Sequence, residues 1–360
     1  MARLYEEANT MSFLRYILPC LSCLVFCASP SSLQAADAFE VNKRLGRGMN
    51  LGNALEAPRE GEWGVTLREA DFDVIKAAGF DSVRIPIRWS THTGPGPDFV
   101  VDAAFFERVD WAIDQALSRK MMAVVNVHHF EEIYRDPDAR LPKLRAIWRQ
   151  VAARYREKPD SLVFELLNEP NSALSPAKWN AMIPDLLVEI RKTNTDRVVV
   201  VGPGEWNNLR GLDRLQLPES DRALIVTFHY YEPFKFTHQG ASWVRDSAPW
   251  VGTRWSGTKR EKDSLARDFE QAAKWGREHT RPIYLGEFGS FSRADMDSRS
   301  RWTAAIVGEA KKHGFSWSYW EFRSGFGAFD FQSNSWRAPL HDALLADTRA
   351  NLQPPGASDK

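Results

Sequence analysis

Cysteine is nearly absent from this chain of 360 residues: there are 3, and Cys20, Cys23 and Cys27 all lie near the N-terminus. From residue 28 onward there is no disulfide to form, no thiol nucleophile and no cysteine-based zinc site. Net charge is missing too. Lys and Arg number 47 and Asp and Glu number 47, which leaves neither the basic balance of a nucleic-acid binder nor a polybasic patch for an anionic membrane. Long apolar runs are also lacking. Residues 12–29 come nearest, but Arg15, Pro19 and Pro30 leave too short a stretch for a comfortable membrane span. No linker, low-complexity block or second domain is visible.

What is present begins with a targeting pattern. A basic flank at Arg15, a short apolar stretch and small residues running to Ala36-Asp37-Ala38 read as a signal peptide over 1–36, with cleavage after Ala36 or Ala38 and Met11 as an alternative start. A lipoprotein anchor fits poorly, because Phe26 precedes Cys27 and Cys20 stands third before Cys23. The expected location is secreted or periplasmic. Residues 350–360, with Pro354-Pro355-Gly356, read as a disordered tail.

Between these ends, strand-like and helix-like segments alternate. Short apolar runs at 47–51, 81–87, 121–128, 161–167, 197–202, 223–230, 281–286 and 315–320 predict strands. Helical periodicity predicts helices near 66–78, 102–119, 142–156, 177–193, 262–278, 297–313 and 338–347, with 206–219 the weakest. Thr66 and Glu69 read as a capping box, and Ser175-Pro176 as a cap followed by a first-turn proline. Eight strand–helix units over 37–349 predict a single (β/α)8 TIM barrel, an α/β fold. Apolar strands fit helices covering the outside. A doubly wound sheet would need a helix opening directly after the glycines of 46–52, and none is visible there. The long connection 231–261 falls on the catalytic rim of such a barrel.

Polar groups recur at the strand ends. They are Asn50, Asn53 and Glu56 after the first, Arg84 on the second, His128-His129 on the third and Asn168-Glu169 on the fourth. His229-Tyr230-Tyr231 follows the sixth, Glu287 ends the seventh and Trp320-Glu321 the eighth. Two carboxylates without a metal-ligand cluster point to glycoside hydrolysis, in which one protonates the leaving oxygen and the other attacks or directs water. Glu169 is the candidate acid/base and Glu287 the candidate nucleophile. Arg84 is placed to keep Glu287 ionised, with His229 and Tyr231 bonding to the same rim. Asn168 is placed to donate to a sugar hydroxyl. Trp320 offers a wall under the reacting sugar, and Trp89, Trp206 and Trp243 are candidate platforms for neighbouring units. Glu165 reads as a satisfied interior carboxylate, and Glu321 and Asp330 as rim supports. Adjacent His128 and His129 face opposite sides, so a zinc site would take only one of them with His229 and Glu287, and the second glutamate and the arginine fit sugar chemistry better.

These motifs together resemble glycoside hydrolase family 5. The resemblance covers about 40–347 and rests on Arg84, His128, Asn168-Glu169-Pro170, His229-Tyr230-Tyr231, Gly286-Glu287-Phe288-Gly289 and Trp320. It implies a retaining mechanism with Glu169 as acid/base and Glu287 as nucleophile. Finer stretches, 50–58, 61–64, 236–241 and 324–327, are similar to a bacterial branch of broad-specificity cellulase/mannanase enzymes. That similarity implies that Asn53, Glu56, His238 and Trp243 line the glycone side, and His128 and His129 are further candidate substrate contacts. The expected activity is an endo-β-1,4-glucanase on soluble or amorphous cellulose and mixed-linkage β-glucan. The alternatives are a glucanase that also takes mannan or glucomannan and, more distantly, a non-catalytic glycan-binding barrel. No cofactor, metal, nucleic acid or obligate protein partner is expected, and the chain reads as a monomer.

Overall fold

The computed structural model describes residues 37–350. The expected signal segment with its cysteines, and residues 351–360 of the expected tail, lie outside the described residues. No helix among the described residues is long and apolar enough to cross a membrane.

Eight parallel strands close into a barrel: β1 Arg47–Asn50, β2 Ser82–Ile85, β3 Met122–Asn126, β4 Leu162–Glu165, β5 Val199–Val201, β6 Leu224–Tyr230, β7 Ile283–Phe288 and β8 Ser316–Tyr319. Closure comes from β8 pairing with β1, with Gly48 opposite Ser318. The predicted (β/α)8 architecture is the one observed. Strand alternation divides the core in two. Outward residues such as Ile85, Val125, Phe164 and Val201 join the layer packed under the helices. Inward residues Met122, Val124, Val163, Val198, Val200, Ile225 and Tyr284 form a separate cluster at the barrel floor.

That floor is closed by a helix the sequence reading did not find. Ala38–Leu45 inserts Ala38, Val41 and Leu45 into the inward cluster. Each large apolar side chain buried there contributes about 1.5–3 kcal/mol. Asp37 caps the helix by accepting from Phe39 N at 2.9 Å. Asn42 locks it to the barrel, donating to Ile283 O at 3.0 Å and accepting from Ser316 Oγ at 2.6 Å.

Helices Glu69–Ala78, Ala103–Ser118, Pro137–Arg154, Pro176–Arg191, Lys259–His279, Met296–Lys312 and Ala338–Ala350 follow the strands. Ser175 caps its helix as expected, accepting from Lys178 N. The Thr66–Glu69 capping box does not form. Leu67 is buried and its N–H is held by Glu60 Oε1 at 2.8 Å, so the chain stays extended until Glu69. Asp71 then accepts from Arg68 N at 2.8 Å. The weak fifth connection has no α-helix on the barrel wall, only a tight turn at 204–207 and a 3-10 helix Leu209–Arg214. A small hairpin, Phe329–Asp330 with Ser335–Trp336, follows β8 and was not foreseen.

Gly308 lies mid-helix in Met296–Lys312, exposed, with nothing within 4 Å of the place a Cβ would take. Gly308→Ala removes backbone freedom from the unfolded chain without a clash. It is expected to stabilise the protein by about 0.5–1 kcal/mol, read as a higher denaturation midpoint. An unchanged or lower midpoint refutes this.

Candidate active site

The site is built around Arg84, which is fully buried on β2. Its guanidinium donates to Glu165 from Nε (2.6 Å) and Nη2 (2.8 Å), to Glu287 Oε1 (2.6 Å), to Asn50 Oδ1 (2.9 Å) and to Asn168 Oδ1 (2.8 Å). Glu165 is therefore the satisfied interior carboxylate expected, with Arg84 as its partner. Because the Asn168 Oδ1 is taken, the donor end of its amide remains for a ligand.

Strand alternation alone would send Gly286 inward and Glu287 outward. A register shift reverses this: Phe228 pairs with Leu285, but His229 pairs with Glu287. The extra residue turns the Glu287 side chain into the barrel mouth. There Tyr231 Oη donates to Glu287 Oε2 at 2.9 Å, and His229 Nδ1 stands 3.6 Å from the same oxygen. Glu169 arrives from β4 with a positive φ of 49°. Its carboxyl lies 2.8 Å from His229 Nδ1. Asn168 N donates to Val127 O at 2.9 Å and Asn168 O accepts from Tyr134 Oη at 2.5 Å, which fixes the strand end that carries it.

Donor atoms of Glu169, His229 and Glu287 fall within 4.8 Å of one another, a spacing that would also suit a metal ion. The cation already beside Glu287 is the Arg84 guanidinium, which argues for acid–base work. Burial pushes the Glu169 carboxyl up to about 7, with Arg84 opposing and Glu165 adding to the rise. Burial also raises Glu287, against the pull of His229 and Arg84. Burial lowers His229 to about 4, so its imidazole is neutral at ordinary pH.

A cleft of about 710 Å³ opens above these groups, lined by Asn53, His128, His129, Trp243 and Trp320 among others. Trp320 stacks on His128 with rings 5.6 Å apart and 4° from parallel. His238 lines the same cleft and stacks on Phe234 at 4.2 Å. Past Glu169 a second hollow of about 460 Å³ shares Tyr231, His238 and Trp243 and adds Trp206. Trp206 and Trp243 are 56% and 60% exposed, as open platforms require.

Two expected contacts are misplaced. Glu56 is buried beneath the cleft, where its carboxyl accepts the N–H groups of Asn53 and Ala54. It shapes the loop that presents Asn53, which in turn donates to Ser324 Oγ. Trp89 is buried too, with Nε1 donating to Asn126 O at 3.0 Å, and offers no face to a ligand. Glu321 supports the opposite loop, accepting from Ser324 N at 2.9 Å and Phe326 N at 3.0 Å. Trp63 and Ser324, which also line the cleft, were not singled out as site residues. Both lie in or at the edge of the loop motifs that carried the finer resemblance.

A family model described as Cellulase (glycosyl hydrolase family 5) matches residues 42–325. The chain belongs to that family. Endoglucanase H of Acetivibrio thermocellus is 39% identical over 300 residues, covering 83% of this chain and 32% of the relative. The chain thus spans about a third of that protein's length, and 36% of the length of Cellulase/esterase CelE from the same organism. Among solved structures, Thermotoga maritima Cel5A in complex with mannotriose is 45% identical with a TM-score of 0.85, covering 86% of this chain and 100% of that one. The cellulose synthase subunit Z of Clostridioides difficile is 39% identical with a TM-score of 0.81, covering 84% and 99%.

The site makes a pH dependence of definite sign. In the roles expected from the sequence, Glu169 must hold its proton to act as acid, and Glu287 must have lost its own. As pH rises through about 7 the acid form of Glu169 disappears and kcat/KM is expected to fall. Glu169→Gln cannot lose a proton there, so the small residual activity should show no such limb. A wild-type profile flat from pH 6 to pH 8 contradicts the assignment.

Proposed function

We propose that the chain is an endo-β-1,4-glucanase that works with retention of configuration. The observation that carries this is the approach of Glu169 and Glu287, whose carboxylate oxygens come within 4.8 Å. Retaining glycosidases hold their carboxyls about 5–5.5 Å apart, whereas inverting ones leave about 6.5–9.5 Å for a water. Glu287 attacks the anomeric carbon while Glu169 gives its proton to the departing glycosidic oxygen, and a glycosyl ester on Glu287 results. Water then enters, Glu169 takes its proton, and the ester opens. Arg84 and Tyr231 hold the Glu287 charge, Asn168 has an amide donor left for a sugar hydroxyl, and Trp320 walls the glycone side. His128, His129, His238 and Trp243 are the proposed glycone contacts, with Trp206 on the leaving side.

A second reading is favoured by one observation: a similar enzyme, Thermotoga maritima Cel5A, is described in complex with both cellobiose and mannotriose. The same chemistry on glucomannan or mannan would need only a glycone side that tolerates an axial hydroxyl. The test is parallel digestion of carboxymethyl-cellulose, barley β-glucan, glucomannan and mannan. Fast viscosity loss from the glucans, with products first appearing as β-anomers, is expected. Inverted products or no glucan cleavage overturn the proposal, and equal mannan cleavage widens it.

We propose further that residues 1–36 direct export and are removed, leaving 37–349 as the catalytic barrel. Asp37 caps the floor helix and Ala38 is buried in the floor cluster. A cut after Ala38 would strip both, at a cost of about 0.5–2 kcal/mol for the cap alone. N-terminal sequencing of exported protein is expected to begin at Asp37, and a start at Phe39 refutes that choice.

A further inference from the structure

The Glu169–His229 contact leaves one proton unassigned. His229 is neutral, its Nδ1 faces two carboxyls at 2.8 and 3.6 Å, and its Nε2 faces the amide of Asn207 at 3.4 Å. Asn207 is fully buried, and the chain goes to some length to put it there. Glu205, Trp206 and Asn207 are successive left-handed residues, with φ of 61°, 60° and 51°. Three non-glycine residues in that region persist only where their surroundings over-determine them. Here Trp206 N donates to Pro170 O at 3.1 Å, next to Glu169, and Asn208 forms a parallel bridge with His229 itself. Gly202 on the neighbouring strand end makes the room: a Cβ there would lie 2.6 Å from Asn207 Cγ.

We propose that Asn207 is a positioning residue whose amide donates to His229 Nε2, selects the Nδ1–H tautomer, and so keeps the proton of Glu169 on the carboxyl oxygen that faces the cleft. This rests on the glycosidase reading above. A bare Nδ1 would point a lone pair at the Glu287 carboxylate and would capture the proton of Glu169 away from the substrate. With Nδ1–H, the Glu169 carboxyl accepts from the imidazole, Glu287 faces the same N–H at 3.6 Å, and the Nε2 lone pair needs a donor. The Asn207 Nδ2 supplies it. The Asn207 Oδ1 and the Thr227 hydroxyl have no hydrogen-bond partner although buried. Thr227 Oγ1 and His229 Nε2 both crowd the space beside Gly286, where a Cβ would meet them at 2.6 and 3.1 Å. The pocket behind the imidazole is thus polar and built around Nε2.

The test uses leaving groups. Asn207→Asp keeps the shape but turns an acceptor toward Nε2, which demands Nε2–H. Hydrolysis of cellotetraose, whose leaving group needs a proton, is expected to fall on the order of 100-fold. Hydrolysis of a dinitrophenyl β-cellobioside, whose leaving group departs as a stable anion, should fall by less than about threefold, since general-acid help is not needed there. Equal losses on both substrates, or no loss on either, overturn the proposal. A measurement on the wild type covers the case in which the variant does not fold. Nitrogen NMR of labelled histidine, with the His229 signal identified by its loss in His229→Gln, is expected to show protonated Nδ1 and bare Nε2. The reverse assignment overturns the proposal. A wild type that cleaves neither substrate sinks the glycosidase reading instead, and the spectrum still decides the tautomer.

Discussion

One buried guanidinium organises the mouth of this barrel. Arg84 has five N–H groups, and the five acceptor contacts made to it come from Asn50 on β1, Glu165 and Asn168 on β4 and its edge, and Glu287 on β7. A cation taken out of water is tolerated only when such pairing is complete. The requirement works in both directions. Four side chains from three other strands must meet Arg84, so the strand register and the β7 bulge are constrained by it. In turn Arg84 fixes the carboxyl of Glu287 and the amide of Asn168 at the places where chemistry is proposed.

The same ion is shared unequally among the carboxyls. Glu165 and Glu287 each touch the guanidinium, and one positive charge faces two acids before Glu169 is reached. Glu169 has no cation of its own and meets only a neutral imidazole at 2.8 Å. Burial raises Glu169, to about 7, and raises Glu287 as well, and at each the Arg84 guanidinium opposes the rise.

This explains which parts were legible in the sequence. Strand and helix periods are local, so the eight strands, seven of the helices and the strand-end polar groups could be read directly. Glu287 was found by position, but its orientation depends on a bulge, and strict alternation would have turned it outward. Depth was not legible. Trp89 and Trp243 look alike in sequence, yet one is buried under β3 and the other is open to the cleft. Glu56 sits in a motif that suggests contact with a ligand, but its carboxyl is consumed by two backbone N–H groups of its own loop. The floor helix was missed because its eight residues closely follow the expected signal segment and carry exposed Glu40, Lys43 and Arg44. Its signal is a short apolar stripe that only closure of the barrel makes meaningful.

Strained backbone occurs at both ends of the barrel. The floor has a capped helix and inward-facing aliphatic side chains, with Lys120 and Thr280 at positive φ in the turns that enter β3 and β7. The rim holds Asn53, Glu169 and the run Glu205–Asn207 at positive φ. Each such residue costs on the order of 1–3 kcal/mol, and the buried layers under the helices offset it. Each also bears directly on the site: Asn53 lines the cleft, Glu169 is the proposed acid, and Asn207 stands behind the imidazole that faces it. Glycine at these positions would relieve the backbone and delete the side chain that the strained geometry aims. The rim therefore keeps non-glycine residues in glycine conformations where their side chains meet the site.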